Sequence, residues 1–281
     1  MKRIDRVKLL FTRNWNLPGR ERFSHWLRPI GRPKYLNKGI TWLNNEDIAI
    51  YTTADNFIEW AILSTGTYED DIGKLIAVSL KEGDKALDIG ANIGLQSLRM
   101  SRRVGMTGKV YAFEPIEYLQ AKFKKNMALN TVTNVVLMPY ALAEREGEAD
   151  FSIDSNTWNQ GAFCLNNKGN GGEIQKVTIK VADTIKEVKL LDKLALIKID
   201  VEGYEYQVLK GLKETLQKHK PRIIFEYDKN YWANTGGDIV DCYDFLASLN
   251  YMIYQINSVG CELAENAASI QGGNLFCIPG K

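Results

Sequence analysis

The chain has 281 residues, which is long enough for one large α/β domain with an N-terminal extension. Its 45% hydrophobic and 25% charged residues are typical of a globular protein, and its short apolar runs exclude a membrane-spanning helix. The net charge of +2 conceals an uneven distribution of charge along the chain.

Residues 1–38 form a basic arm with eleven Lys or Arg against two acidic residues, a net charge of +9; because the whole chain carries +2, the remainder carries −7. Such an arm is compatible with peripheral contact to an anionic membrane, an acidic carrier or nucleic acid, and equally with a solvated, partly disordered leader. We predict a basic extension with a small hairpin over residues 1–66 and a main domain over residues 67–281. The apolar run 7–11 is too short for a secretory signal, since Lys8 interrupts it.

The cysteines form no CxxC pair, so neither a disulfide framework nor a zinc site is predicted. Since no export signal is expected, we predict reduced thiols and a cytoplasmic location. The four positions are Cys164, Cys242, Cys261 and Cys277.

The elements after the arm are predicted from turn signals and from the spacing of apolar residues. They are a hairpin over 39–43 and 47–51, a helix over 57–63, a helix over 70–80, a strand over 85–89, a helix over 93–103 and a strand over 109–113. Apolar strands between turn signals are typical of a parallel sheet covered on both faces. Ligands of such a sheet bind beyond the carboxyl ends of its strands, where Asp88 and Glu114 lie.

The turn after the first core strand indicates which ligand binds there. It starts at Gly90, but a dinucleotide fingerprint also needs glycines where Asn92 and Leu95 stand. Asp88 would repel a pyrophosphate and suits a ligand with a cation at that point, such as S-adenosylmethionine. Glu114 ends the second strand, where an acid can accept both ribose hydroxyls. The alternative is that Asp88 caps a helix and Glu114 is a surface acid.

Further helices are predicted over 115–129, 205–216 and 239–249, and further strands over 134–138, 148–153, 174–181, 194–200, 222–227, 251–256 and 274–278. The last two strands should form an antiparallel pair at the edge of the sheet. The segment 154–172, which is rich in Asn and Gly and contains Trp158, predicts a lid, a binding loop or disorder.

The strand over 194–200 ends in two acids, Asp200 and Glu202, which should stand near a transferable methyl group. Methyl transfer needs alignment of the acceptor and can need a base that takes the hydroxyl proton. Neither histidine is suitably placed, so these carboxylates are the candidate bases, with Glu226 and Asp228 in reserve. Alternatively they only order the loop or bond to the cofactor. Two or three carboxylates could hold Mg²⁺, but without a further fixed ligand we predict no metal.

The chain resembles the FkbM-type S-adenosylmethionine-dependent methyltransferase family. The resemblance implies a class I methyltransferase fold, which is a Rossmann-like, seven-stranded, mostly parallel sheet with one antiparallel strand and helices on both faces. It implies S-adenosylmethionine as donor and O-methylation of a hydroxyl on a sugar, glycan or polyketide-like small molecule. The matching pieces run in order from residue 68 to 227 and include Tyr68-Glu69, Leu87-Asp-Ile-Gly-Ala-Asn-Ile-Gly94, Ala112-Phe-Glu-Pro115, Ala182-Asp183-Thr184, Ile197-Lys-Ile-Asp-Val-Glu-Gly203 and Phe225-Glu226.

The resemblance also assigns roles to individual residues. The methionine part of the cofactor would be held by Asp88, Gly90, Asn92 and Gly94, with Glu69 near its end. Ribose would be bound by Glu114, and adenine would be bordered by Ala141. The acceptor would meet Asp200 and Glu202, and we add Trp158 and Glu226 as substrate contacts.

Three other functions remain open. An NAD-dependent oxidoreductase would share the fold, but the glycine spacing and Asp88 argue against it. A nucleic-acid or protein methyltransferase would use the basic arm; nucleic acid is disfavoured because the fourth strand ends in Asp-Val-Glu-Gly and not in an Asn/Asp-Pro-Pro-aromatic cluster. A non-catalytic scaffold would bind no cofactor. The oligomeric state is left open.

Overall fold

The computed structural model describes residues 39–52, 56–153, 173–257 and 260–280. The basic arm and the segment 154–172, with Trp158, lie outside the described residues. The interpretations given above for the arm, for that segment and for Trp158 therefore stay predictions.

The described part of the chain alternates strands and helices. The helices are α1 (Phe57–Thr65), α2 (Asp70–Ser79), α3 (Leu95–Val104), α4 (Glu117–Leu129), α5 (Lys186–Lys189), α6 (Glu205–Gly211), α7 (Lys213–His219), α8 (Lys229–Thr235) and α9 (Ile239–Ser248). The strands are β1 (Gly39–Trp42), β2 (Ala49–Thr52), β3 (Lys85–Ile89), β4 (Lys109–Phe113), β5 (Val135–Met138), β6 (Ala141–Leu142), β7 (Gly147–Ile153), β8 (Glu173–Lys180), β9 (Leu196–Ile199), β10 (Arg222–Tyr227), β11 (Tyr251–Ile256), β12 (Cys261–Leu263) and β13 (Gly273–Pro279).

The central sheet has the strand order β12-β11-β13-β10-β9-β3-β4-β5. Strands β3, β4, β5, β9 and β10 are parallel, while β13 pairs antiparallel with both β10 and β11. The Rossmann-like fold, with its mostly parallel sheet and the antiparallel pair of β11 and β13, is confirmed. The sheet has eight strands and not the expected seven, because the short strand β12 adds to the outer edge of β11.

The register of the central strands places the carboxyl ends of β3, β4 and β9 side by side. Asp88 lies opposite Ala112 on one side and opposite Lys198 on the other. The inward faces of β3 and β9 are fully buried, as in Leu87 and Ile197, both 0% exposed. Packing on both faces fixes these strands, so the polar residues at their ends are held in place.

The single helix predicted over residues 205–216 is in fact two helices, α6 and α7. Asp183 is the physical reason, because its carboxylate accepts hydrogen bonds from the backbone N–H groups of Glu214 and Thr215, at 2.7 and 3.0 Å. It therefore caps the start of α7 from outside the helix. In addition, a Cβ at Gly211 would lie 2.2 Å from the carbonyl oxygen of Ala143, so the chain passes too close there for another side chain.

The hairpin of β1 and β2 forms as predicted and is bound to the main domain through α4. Asn130 exchanges two hydrogen bonds with the backbone of Ala49, and Asn126 accepts one from the N–H of Tyr51 at 2.9 Å. Ile50 of the hairpin packs in the same buried cluster as Phe123 of α4. The hairpin thus shares a core with the main domain, and the predicted domain boundary stays a prediction. No helix within the described ranges is long and apolar enough to cross a membrane.

Candidate active site

A cavity of about 270 Å³ opens where the strands β3, β4, β9 and β10 end. Its lining residues include an apolar group and an acidic group, which are called here the apolar wall and the acidic wall. The apolar wall includes Phe113, Ile116, Tyr140, Ala141, Leu142 and Phe151, and the acidic wall includes Glu69, Asp200, Glu202 and Glu226. Glu114 also lines the cavity and follows Phe113 of the apolar wall at the end of β4.

Glu114 is fixed by the backbone around it. Its carboxylate accepts the N–H of Asn92 at 2.8 Å and the N–H of Ile116 at 2.9 Å. Burial raises the pKa of Glu114 to about 7, although these two hydrogen bonds lower it. Each carboxylate oxygen keeps a lone pair for another donor, so the side chain can still accept hydroxyl groups.

The turn after β3 needs its two glycines for space. A Cβ at Gly90, where φ is +77°, would lie 1.8 Å from the carbonyl oxygen of Asp200. A Cβ at Gly94, where φ is +90°, would lie 2.8 Å from the ring of Phe123. Asn92 is also left-handed, with φ +51°, and its side-chain oxygen accepts the N–H of the next residue at 2.8 Å. The turn therefore packs closely against the end of β9, and within it the N–H of Asn92 is the one donated to Glu114, while those of Gly90 and Ala91 are donated to the carbonyl oxygen of Phe113.

Asp88 lies under the cavity and does not line it. The residue is 0% exposed, accepts a hydrogen bond from the hydroxyl of Ser97 and stands 3.9 Å from Nζ of Lys198. Burial raises the pKa of Asp88, while Lys198 and Ser97 lower it. Direct contact between Asp88 and a cofactor stays a prediction.

Lys198 connects this buried carboxylate with the cavity. Its Nζ donates to the carboxylate of Asp200 at 3.1 Å and to the carbonyl oxygen of Gly90 at 3.4 Å. Burial by itself lowers the pKa of Lys198, but Asp200, Asp88 and Glu69 raise it above the ordinary lysine value. Lys198 is therefore a charged ammonium that links β3 and β9 beneath the site.

Glu69 enters the cavity from the start of α2 in a strained backbone conformation, with φ +51°. Arg99 holds that backbone, because it donates to the carbonyl oxygens of Tyr68 and Glu69 at 2.9 and 3.1 Å. The carboxylate accepts the side-chain amide of Gln96 at 2.8 Å. Burial, followed by repulsion from Asp200, raises the pKa of Glu69. Strain of this kind collects at functional sites, where the surrounding structure holds it in place.

The carboxylates of Glu202 and Glu226 face the same space and resist ionisation. Burial, followed by Asp200 and Glu226, raises the pKa of Glu202 to about 9. Burial, followed by Asp200 and Glu69, raises the pKa of Glu226 to about 7. A cation that enters this part of the cavity would be attracted by the acids and would lower their pKa values.

Two family models match the chain. The model of the Methyltransferase FkbM domain matches residues 88–253, which is more than half of the chain. The chain belongs to the FkbM methyltransferase family. A second model, for Protein-L-isoaspartate(D-aspartate) O-methyltransferase, matches residues 20–140, which is less than half.

Two curated relatives have descriptive names. The hexuronic acid methyltransferase AglP of Haloferax volcanii is 29% identical over 151 residues, 53% of this chain and 58% of the relative. The 2-O-methyltransferase NoeI of Sinorhizobium fredii is 26% identical over 158 residues, 52% of this chain and 64% of the relative. The chain thus spans less than two thirds of the length of these relatives. A solved FkbM methyltransferase from Methylobacillus flagellatus is 15% identical, covers 77% of this chain and 52% of its own, and has a TM-score of 0.46.

S-adenosylmethionine is the methyl donor of FkbM methyltransferases, and the residues present fit it. The donor carries an ammonium and a sulfonium, and the acidic wall offers raised-pKa carboxylates to both. Glu114 keeps acceptor capacity for ribose hydroxyls, and Ala141 lies on the apolar wall that suits an adenine ring. The assignment of individual contacts stays a prediction.

Sequence reasoning missed the residues that support the FkbM site from below. Glu205 accepts the N–H groups of Val201 and Gly203, at 2.8 and 3.0 Å, and the indole N–H of Trp232 at 2.8 Å. These bonds hold the loop that carries Glu202, which has a strained φ of +54°. The sequence held one signal, Lys198, which is a charged residue inside the otherwise apolar and buried strand β9, whereas Glu205 begins the mixed helix α6 and gave none.

Proposed function

We propose that this protein is an S-adenosylmethionine-dependent O-methyltransferase that acts on a hydroxyl of a sugar, glycan or polyketide-like small molecule. The observation that carries the proposal is the division of one cavity into an apolar wall with Glu114 and an acidic wall with Glu202. Two relatives are named as a hexuronic acid methyltransferase and a 2-O-methyltransferase, which supports a sugar-like acceptor.

On the donor side, the proposal gives each residue a task. Glu114 would accept the ribose hydroxyls, and Ala141 would border the adenine by its backbone. Gly90 and Gly94 would let the turn approach the methionine part closely, with Asn92 and Glu69 beside it. Asp88 would act indirectly, through Lys198, whose Nζ lies 3.9 Å from Asp88 and 3.1 Å from Asp200.

On the acceptor side, we assign Glu202 as the general base. Lys198 donates to the carboxylate of Asp200 at 3.1 Å and orients it, whereas burial and neighbouring acids raise the pKa of Glu202 to about 9 in the ligand-free protein. The cationic donor would ionise Glu202, which would then take the hydroxyl proton of the acceptor. The donor supplies an electrophilic methyl group. The acceptor oxygen forms the new O–C bond, its proton passes to the carboxylate of Glu202, and the sulfur keeps the electron pair of the broken S–C bond. Asp200 and Glu226 would hold the acceptor in line.

Methyl-labelled S-adenosylmethionine, incubated with the full chain and a panel of sugars, glycans and hydroxylated metabolites, tests the proposal. We expect label in a product that survives mild alkali, because a methyl ether does and a methyl ester does not. Alkali-labile label would point instead to carboxyl methylation, the reaction named by the second family model. Calorimetry that detects no binding of the donor would overturn the proposal.

A further inference from the structure

A second cleft borders the cavity through three shared residues. It has a volume of about 350 Å³, within the roughly 300–1,000 Å³ of small-molecule sites. The cleft lies between α1, the start of α2 and the first residues of β13, and it shares Phe57, Tyr68 and Glu69 with the cavity. Asn274, another lining residue of the cleft, is paired in register with Glu226, which lines the cavity. A molecule that places one group beside Glu202 could therefore extend into this cleft.

The cleft contains a buried hydroxyl without a partner. Thr67 lines it and is only 6% exposed, yet its Oγ1 has no hydrogen-bond partner among the described residues. The neighbouring hydroxyl of Thr65 is satisfied, since it donates to the carbonyl oxygen of Ala61 at 2.7 Å. Buried hydroxyl groups are almost always hydrogen-bonded, so an orphan beside a cleft indicates a polar group of a ligand.

The charges around the two spaces select what that ligand can be. Among their described lining residues, neither the cavity nor the cleft contains Lys or Arg, while Asp70 and Asp71 add to the acids already named. At the rim, Arg99 is 3.5 Å from Asp70 and Lys74 is 2.9 Å from Asp71, and both cations are thereby engaged. Within the described residues of both spaces, an anionic acceptor would meet acids and no unpaired cation, which disfavours its binding.

The remaining groups suit an uncharged, polyhydroxylated molecule. Carboxylates accept hydroxyl protons, Thr67 and Asn274 can both donate and accept, and the rings of Phe57 and Tyr68 offer an apolar surface. The two rings meet edge to face, with centroids 6.2 Å apart and planes at 79°. A sugar has this combination of hydroxyl edges and an apolar C–H face.

We infer that this cleft holds the non-reacting part of the acceptor, that Thr67 hydrogen-bonds to it, and that the acceptor is a neutral glycoside and not a uronate or a phosphorylated sugar. The inference rests on the proposed function and goes beyond it by naming the charge class of the acceptor and a residue that selects it. Thr67 touches the substrate at a distance from the reacting atoms.

The test uses matched pairs of methyl hexosides and methyl hexuronides of the same stereochemistry. Their binding to the full chain, loaded with S-adenosylhomocysteine, is measured by calorimetry, and methyl transfer is measured with labelled donor. We expect the neutral member of a pair to be preferred at least about tenfold, since one misplaced charge commonly costs this much. Thr67→Val should weaken its binding about three- to tenfold, the cost of one hydrogen bond, and Thr67→Ser should restore it.

Several controls keep the outcomes distinct. Thr178→Val, a change at an exposed strand residue, should leave acceptor binding unchanged. Thermal unfolding checks that Thr67→Val is not destabilised, since it replaces a buried hydroxyl without a partner by a methyl group. Asn274→Ala tests a second polar residue of the cleft by the same binding measurement. A preferred hexuronide, no binding of any neutral hexoside, or an unchanged affinity in Thr67→Val would each overturn the inference. If the hexuronide is methylated on a hydroxyl, the proposed function stands while the inference falls; if the donor does not bind, the proposed function itself fails.

Discussion

The two walls of the cavity are stabilised in different ways. The wall around Glu114 is fixed by short backbone hydrogen bonds from a turn of the same βαβ unit. The wall around Glu202 is a group of mutually repelling acids held by Glu205, Lys198 and Arg99 from other elements. The carboxylate of the first wall is fixed without a ligand, whereas the acids of the second repel one another when ionised, and a bound cation would lower that repulsion. A donor with a positive charge would contact both walls at once and would stabilise the ionised form of the acidic wall.

The largest effect should come from removing the cation beneath the acidic wall. Lys198→Met leaves the carboxylate of Asp88 buried without its charge partner, which should lower the free energy of unfolding by about 3–5 kcal/mol. Urea unfolding measures this. Lys193→Met is the matched control, since that side chain is 68% exposed and lies 3.9 Å from Asp84. Adding Asp88→Asn to Lys198→Met should recover part of the loss, and no recovery would mean that the two groups act independently.

The acidic wall is next tested by its proposed base. Glu202→Gln keeps the size of the side chain but cannot take a proton, so kcat should fall by about 10²-fold or more. The affinity for the donor should change little, because Glu69, Asp200 and Glu226 still supply negative charge. Single-turnover transfer and calorimetry separate the two quantities. An unchanged kcat would move the base to Asp200, and a lost affinity would place Glu202 on the donor.

The apolar wall, with Glu114, should show the reverse pattern, which is a loss of donor affinity with a smaller effect on the rate. Glu114→Gln can accept only one of the two N–H groups that Asn92 and Ile116 now donate, since its amide nitrogen is itself a donor. The affinity for S-adenosylmethionine should fall about tenfold or more, with a smaller effect on the rate from the saturated complex. Glu117→Gln, an exposed change three residues along, is the control for titration calorimetry. Equal affinities in both variants would remove Glu114 from the donor site.

The same difference between the two walls explains which parts of the site could be predicted from the sequence. Gly90, Asn92 and Glu114 lie within one βαβ unit, so their spacing along the chain already reflects their proximity in space. The bond between Glu205 and Trp232 joins residues 27 positions apart, and nothing in their local pattern pairs them. The break between α6 and α7 likewise depends on Asp183, about 30 residues earlier.

Asp88 shows that a local sequence pattern does not predict how deeply a side chain is buried. Its place near the end of β3 was read correctly, because apolar runs and a glycine turn mark that strand. Its burial depends on Ser97 from α3 and on Lys198 from β9, which the parallel register brings opposite it. Sequence spacing gives the end of a strand, but only the packing of neighbouring elements determines whether a side chain lines the cavity or lies beneath it.

The last expected effect is a proton linkage, and it reports on the acidic wall directly. In the ligand-free protein the pKa of Glu226 is raised to about 7 and that of Glu202 to about 9, both from 4.5. Each of these folded carboxyls therefore binds more protons than its unfolded counterpart between pH 4.5 and its raised pKa. The stability that they contribute should be fully present below about pH 4.5 and be lost as the pH rises towards 7 for Glu226 and towards 9 for Glu202.

Glu202→Gln should flatten the upper part of this decline, between pH 7 and 9, while the exposed change Glu117→Gln should leave it intact. Binding of the cationic donor at pH 7.5 should release protons, because it favours the ionised carboxylates, and calorimetry in buffers of different ionisation enthalpy counts them. Fewer protons should be released by Glu202→Gln than by the wild type. If both proteins release equal numbers of protons, binding of the donor does not ionise Glu202. The positive charge of the donor then does not couple the two walls.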